Sequence, residues 1–175
     1  MSVEQYDELT RKVDEFHTRV RARYPSALVC ASGCSRCCQQ HLTLLPFEFQ
    51  RLTVAAEMLG PEARRELRER LERGRSERDC VLLDALGRCS LYEARPIICR
   101  SHGLPIQLGT PPVRDICPHN LPQRPPVDEL ASEFVLDVDR INMILVLLDR
   151  LPAGGDGQRI DLFDGLKALV EHWDE

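Results

Sequence analysis

Cys30-Ala31-Ser32-Gly33-Cys34-Ser35-Arg36-Cys37-Cys38 places four thiols within nine residues, and Cys80, Cys89, Cys99 and Cys117 complete a set of eight. Gaps of two or three residues let a turn direct successive thiolates at one ion, as structural zinc sites and iron–sulfur ligands require. Two tetrathiolate sites would use all eight. One four-sulfur site beside a mixed site, or a multinuclear site with a bridging thiolate, fits equally well. Adjacent Cys37 and Cys38 belong to different ligand sets, or one of them is a bystander. The plain alternative for Cys80 and Cys117, each taken alone, is an inert buried thiol. His102, three residues after Cys99, and His119, two after Cys117, have the imidazole nitrogen that a mixed site would use, although hydrogen-bonding roles are favoured for both.

Four thiolates around a divalent ion, or around a doubly positive four-iron cluster, leave a local charge of about −2 that needs nearby donors or cations. Arg36, Arg88 and Arg100 each adjoin a cysteine, and Arg95 lies one helical turn before Cys99. All four are candidates for neutralising that charge. No Ser/His/Asp triad or paired-carboxylate arrangement can be assembled, and Gly154-Gly155-Asp156-Gly157 lacks the Lys-Ser/Thr of a phosphate loop.

The elements that must position these residues are mainly helical. Val3, Tyr6, Leu9, Val13, Phe16, Val20 and Tyr24 recur at helical steps and predict a helix over 2–24, stopped by Pro25. Further helices are predicted from Pro46 to Leu59, over 61–77, and from Arg95-Pro96 through Arg100. A long one, capped by Ser132, is predicted over 132–151, and a last one begins at Asp161. Val81-Leu82-Leu83 and Cys89-Ser90-Leu91-Tyr92 flank a turn at Gly87 and predict a small hairpin. Residues 103–128 contain seven prolines and read as a stiff, extended connector.

The 175 residues carry a net charge of −5, with 43% hydrophobic residues, which suits one domain over 1–175 with a metal-binding core at about 30–120. The expected fold is a small, mainly α domain around an irregular cysteine-rich centre with one short hairpin. The acidic balance argues against a nucleic-acid partner. The Arg-rich helix over 61–77 does not reverse this, because Glu66/Arg70 and Glu69/Arg73 can pair along it. An acidic start without an apolar leader, and no apolar run long enough for a membrane span, point to the cytoplasm and away from membranes. Thiols stay reduced there, which favours metal over disulfides.

Cys30-x3-Cys34-x2-Cys37-Cys38, then Gly87-x-Cys89-x2-Tyr92-x2-Arg95-Pro96-x2-Cys99-Arg100 and a later Cys117, resembles the YkgJ-type cysteine-cluster family. Its CxxCxxCC signature marks zinc- or iron-chelating proteins. The likeness covers about residues 30–120, departs from the signature in its three-residue first gap, and implies that all eight cysteines are ligands. Flagellin lysine methylases resemble this chain in carrying such a domain, but no cofactor-binding addition that would carry methylation over is recognised here. The leading expectation is an iron–sulfur or iron protein with a redox role and a protein redox partner. The alternatives are a zinc-binding structural module and a metal-dependent protein-modifying enzyme.

Overall fold

The structure, a computed structural model, describes residues 3–25, 28–76, 79–120, 126–150 and 156–174. Its first elements are α1 (Val3–Arg23), β1 (Thr43–Leu44), α2 (Pro46–Glu57), α3 (Pro61–Glu72) and α4 (Ile97–Ser101). Then come β2 (Ile106–Leu108), β3 (Val113–Asp115), β4 (Leu136–Asp137), α5 (Val138–Arg150), β5 (Ile160–Asp161) and α6 (Leu162–Glu171). The protein is mainly helical, with short strands in small sheets. No described helix is long and apolar enough to cross a membrane. The elements fall into two compact units, each discontinuous in sequence: 1–31 with 97–156, and 32–96 with 157–175.

In the first unit, Tyr6, Leu9, Val13, Phe16 and Val20 of α1 are all buried, as their spacing requires. Phe16 and Val20 pack with Leu28 and Leu104, and Tyr24 meets Phe134 edge-to-face at 5.5 Å. Asp14 on α1 accepts from Arg100 on α4 at 2.6 Å, which ties the short Cys99 helix to the long one. Residues 103–128 are not the extended connector that their prolines imply. β2 and β3 pair antiparallel there, Ile106 opposite Asp115 and Leu108 opposite Val113. Pro111 and Pro112 occupy the loop between them, so these prolines make a turn. Residues 121–125 of this stretch lie outside the described residues.

The long helix is also shorter than its apolar pattern suggests. Ser132–Phe134 forms a 3-10 turn, and Leu136 then pairs parallel with Ile106 of β2, donating its N–H to Pro105 at 2.8 Å. Strand pairing uses the backbone that the helix would need. α5 therefore starts at Val138, with the Asp137 carboxylate accepting the Arg140 N–H at 2.9 Å, and Asp137 replaces Ser132 as its cap. The far end of that prediction, residue 151, lies outside the described residues, as do Gly154 and Gly155.

In the second unit, α6 packs against α2 and α3. Leu52 and Ala56 of α2, Leu67 and Leu71 of α3, and Leu162, Leu166 and Val170 of α6 are buried. Gly165 sets the spacing: a Cβ there would come within 2.7 Å of the Phe49 ring and of Ile160. α2 opens with Pro46, and the buried Glu48 carboxylate accepts the Leu45 N–H at 3.2 Å. Asp161 caps α6 as its sequence predicts, accepting from Phe163 and Asp164. α3 ends at Glu72, five residues before the predicted limit.

The cysteine-bearing 80–92 segment forms the expected small hairpin, an arch with one antiparallel bridge, Leu83 to Cys89, flanked by the Ser90 N–H donating to the Leu82 carbonyl and the Asp84 N–H to the Arg88 carbonyl, at 2.8 Å each. Asp84 closes its turn: the carboxylate accepts the N–H groups of Leu86 and Arg88 at 2.8 Å each. Gly87 takes the predicted positive φ, at 72°.

Candidate metal centre

Five of the eight thiols belong to the second unit: Cys34, Cys37, Cys38, Cys80 and Cys89. The cluster loop turns over a 3-10 turn, Arg36–Cys38, which the Cys38 N–H closes onto the Ser35 carbonyl at 2.8 Å. This loop is joined to the arch at two points. The Cys80 N–H donates to the Cys38 carbonyl at 2.8 Å. At the other end Gly33 and Gly87 approach so closely that a Cβ on Gly87 would stand 3.0 Å from the Gly33 carbonyl. The two cysteine-bearing segments of this unit are thus held together by their own backbones.

The sulfurs sit in surroundings prepared for charge. A backbone N–H, that of Leu82, is directed at Cys80, and Leu91 plays the same part for Cys89. An N–H two residues ahead of the thiol favours its anion. Burial works against it and pushes both thiols above their ordinary range, with the Cys89 charge adding to the rise at Cys80. Arg70 lowers both thiols, and Arg95 lowers Cys89. The Cys37 thiol hydrogen-bonds to Cys38, and this contact, with burial and the neighbouring sulfur, pushes it far up, while Arg95 pulls the other way. Half-buried sulfurs that resist ionisation alone, yet are faced by N–H groups and guanidinium ions, have surroundings compatible with metal thiolates.

Over residues 29–118, just over half of the chain, the sequence matches the model of a family described as "Putative zinc- or iron-chelating domain", CxxCxxCC. The chain belongs to the CxxCxxCC family. All eight cysteines lie inside the matched stretch. No curated protein and no solved structure matches the chain.

The remaining CxxCxxCC thiols, Cys30, Cys99 and Cys117, belong to the first unit with His102 and His119. His119 is exposed and His102 half-buried on the turn after α4. Sulfur donors suit zinc and iron alike, and all eight cysteines are reduced. Among the described residues, no three Cys, His, Asp or Glu side chains form a group that could hold an ion as they stand. The donors fit a thiophilic metal by chemistry and by backbone support, but they are carried on loops and a short helix instead of forming a closed cage.

The cations differ from those that adjacency selects. Arg88 bonds to Asp84 at 2.8 Å, and Arg100 is engaged by Asp14. Arg36 is exposed. Arg95 stacks 3.8 Å from the centre of the Tyr92 ring and acts on Cys37 and Cys89, as its place in the motif implies. The residue that adjacency misses is Arg70 on α3. It donates to the Val81 carbonyl at 2.9 Å and to Ser90 Oγ at 2.8 Å, bracing the arch from behind. The available signal was its helical register: Leu67 and Leu71 are buried, and Arg70 shares their side. Of the pairs expected along α3, Glu66 meets Arg70 at 3.7 Å, while Glu69 pairs with Arg65, which also reaches Glu62.

A cleft of the second unit adjoins Cys80 and is lined also by His41, Arg75 and Phe163. Arg75 bonds both Asp161 oxygens, at 2.9 and 2.7 Å, reaches Asp164 at 3.0 Å, and meets His41 Nδ1 at 3.2 Å. This network closes the end of α6 over the start of the cluster's return strand β1.

Proposed function

We propose that this CxxCxxCC protein binds iron through cysteine thiolates, as an iron–sulfur or iron centre with an electron-transfer role toward a protein redox partner. The observation that carries this reading is the set Cys34, Cys37, Cys38, Cys80 and Cys89 in one unit, with Arg70 and Arg95 acting on it. Five sulfurs exceed the four of a mononuclear tetrahedral ion, and adjacent Cys37 and Cys38 suit a centre with more than one metal. Exposed Cys34 lies at the solvent side of the set, where a partner would approach. Cys30, Cys99 and Cys117 are the candidate ligands of the first unit. When bound, iron would supply the one-electron chemistry, and the chain supplies sulfur donors, N–H groups and cations that hold the negative charge.

Zinc is the second reading, favoured by the near absence of regular structure in the cluster loop and arch, where a structural ion would replace missing core. Anaerobic purification with iron, zinc and acid-labile sulfide quantified on the same sample separates the two. The iron–sulfur reading expects a brown protein with iron and sulfide in comparable amounts. A colourless protein with stoichiometric zinc and no sulfide overturns it in favour of zinc, and a protein without either metal overturns both.

A further inference from the structure

Asn120 is the buried polar side chain among the described residues of the first unit, 3% exposed, and it stands against a candidate ligand. Its amide orientation is dictated from both ends. The Val29 N–H donates to Oδ1 at 2.9 Å, and Nδ2 donates to the Gly103 carbonyl at 2.6 Å. Nδ2 is thereby held 3.4 Å from Cys30 Sγ as a donor, and the Cys30 S–H reaches Oδ1 of the same amide at 3.7 Å. The Asn120 backbone N–H closes a turn onto the Cys117 carbonyl at 2.8 Å, so the same residue fixes the local backbone at Cys117. Gly103, on the turn that follows the Cys99 helix, completes the packing: a Cβ there would lie 3.0 Å from Cys30 Sγ and 3.1 Å from Nδ2.

A buried carboxamide serving a backbone N–H, a carbonyl and a sulfur at once costs free energy unless every bond is made. An N–H aimed at sulfur limits the directions in which its lone pairs can bind a metal. We propose that Asn120 is the positioning residue for Cys30, its side-chain amide aiming that sulfur for metal ligation. The inference rests on the thiolate reading above.

The test is cobalt(II) titration of the full chain, read by the thiolate-to-cobalt charge-transfer absorption, for the wild type, Cys30→Ser, Asn120→Ala, Asn120→Asp and the Cys30→Ser/Asn120→Ala double variant. Asn120→Asp keeps the acceptor for Val29 and removes the N–H donors to Cys30 and Gly103 together, so it tests the donor end of the amide. The expected result is a loss of charge-transfer intensity in both Asn120 variants that matches Cys30→Ser. Cobalt affinity should fall about 10- to 100-fold, as for lost supports of metal ligands. The double variant should be no worse than Cys30→Ser alone. Wild-type intensity in the Asn120 variants, or a double variant weaker than Cys30→Ser, overturns the inference and leaves the thiolate reading standing. A wild-type chain without any charge-transfer band overturns that reading and the inference with it. Should the variants not fold, the wild-type side-chain amide resonance of Asn120 decides: it shifts when cobalt binds, and a fixed resonance overturns the inference.

Discussion

Individual side chains set the chemistry here, and the thiols are high in pKa for physical reasons. Cys37 bonds to Cys38, and desolvation raises the half-buried Cys80 and Cys89, so each holds its proton in the absence of a cation. Metal binding must displace those protons, which makes affinity fall as the pH falls. Loading the protein in weak buffer with a pH indicator should therefore register proton release, and uptake without it would speak against thiolate ligation. Cys34→Ser and Cys37→Ser should each lower bound metal and stability together, and unchanged metal content in both would remove those residues from the ligand set. Arg70→Ala should lower metal affinity and cost about 1–3 kcal/mol in unfolding free energy, because two part-buried acceptors, Val81 O and Ser90 Oγ, lose its guanidinium as donor. Asp161 behaves differently. Arg75 first, then the N–H groups of α6, hold its carboxylate below the ordinary 3.8. Its contribution is present above that value and disappears as the pH falls through the lowered one. Asp161→Ala should cost about 1 kcal/mol or more through the lost cap at neutral pH, with the gap from wild type closing in strong acid, as followed by urea unfolding across pH.

At the level of elements, the cores are packed where periodicity puts them and the strands are not. α1 follows its apolar spacing from Tyr6 to Val20 because a long helix shows its buried side every three or four residues. Two-residue strands such as β4 carry no such signal. Leu136 is part of an apolar run that reads as helix, and only its partner Ile106 makes it a strand. The arch is the legible exception: its apolar flanks alternate as a hairpin does and pair at Leu83 and Cys89, while the Asp84 carboxylate that ties its turn is a detail the alternation does not show. Gly165 gives the sharpest test of helix packing. Gly165→Ala improves helix propensity yet forces a methyl against Phe49 and Ile160, so it should lower stability by about 1–3 kcal/mol in denaturant unfolding. A stabilised variant would show that α2 and α6 are less tightly set than their contacts imply.

For the whole molecule, the chemistry was more legible than the architecture. The CxxCxxCC identity rests on cysteine spacing, a short-range property that the sequence displays directly. The division of those cysteines, five with 32–96 and three with 1–31 and 97–156, depends on how distant segments return. No local pattern encodes that. Asn120 was invisible for the same reason, since an asparagine two residues after a proline reads as turn until Val29, Gly103 and Cys30 are seen around it. The central claim is that sulfur, and sulfur alone, holds the metal of this protein. X-ray absorption at the metal edge of the purified, loaded chain measures that directly. The account predicts a first shell made of sulfur scatterers at about 2.3 Å, whereas a shell dominated by nitrogen or oxygen at about 2.0–2.1 Å would contradict it.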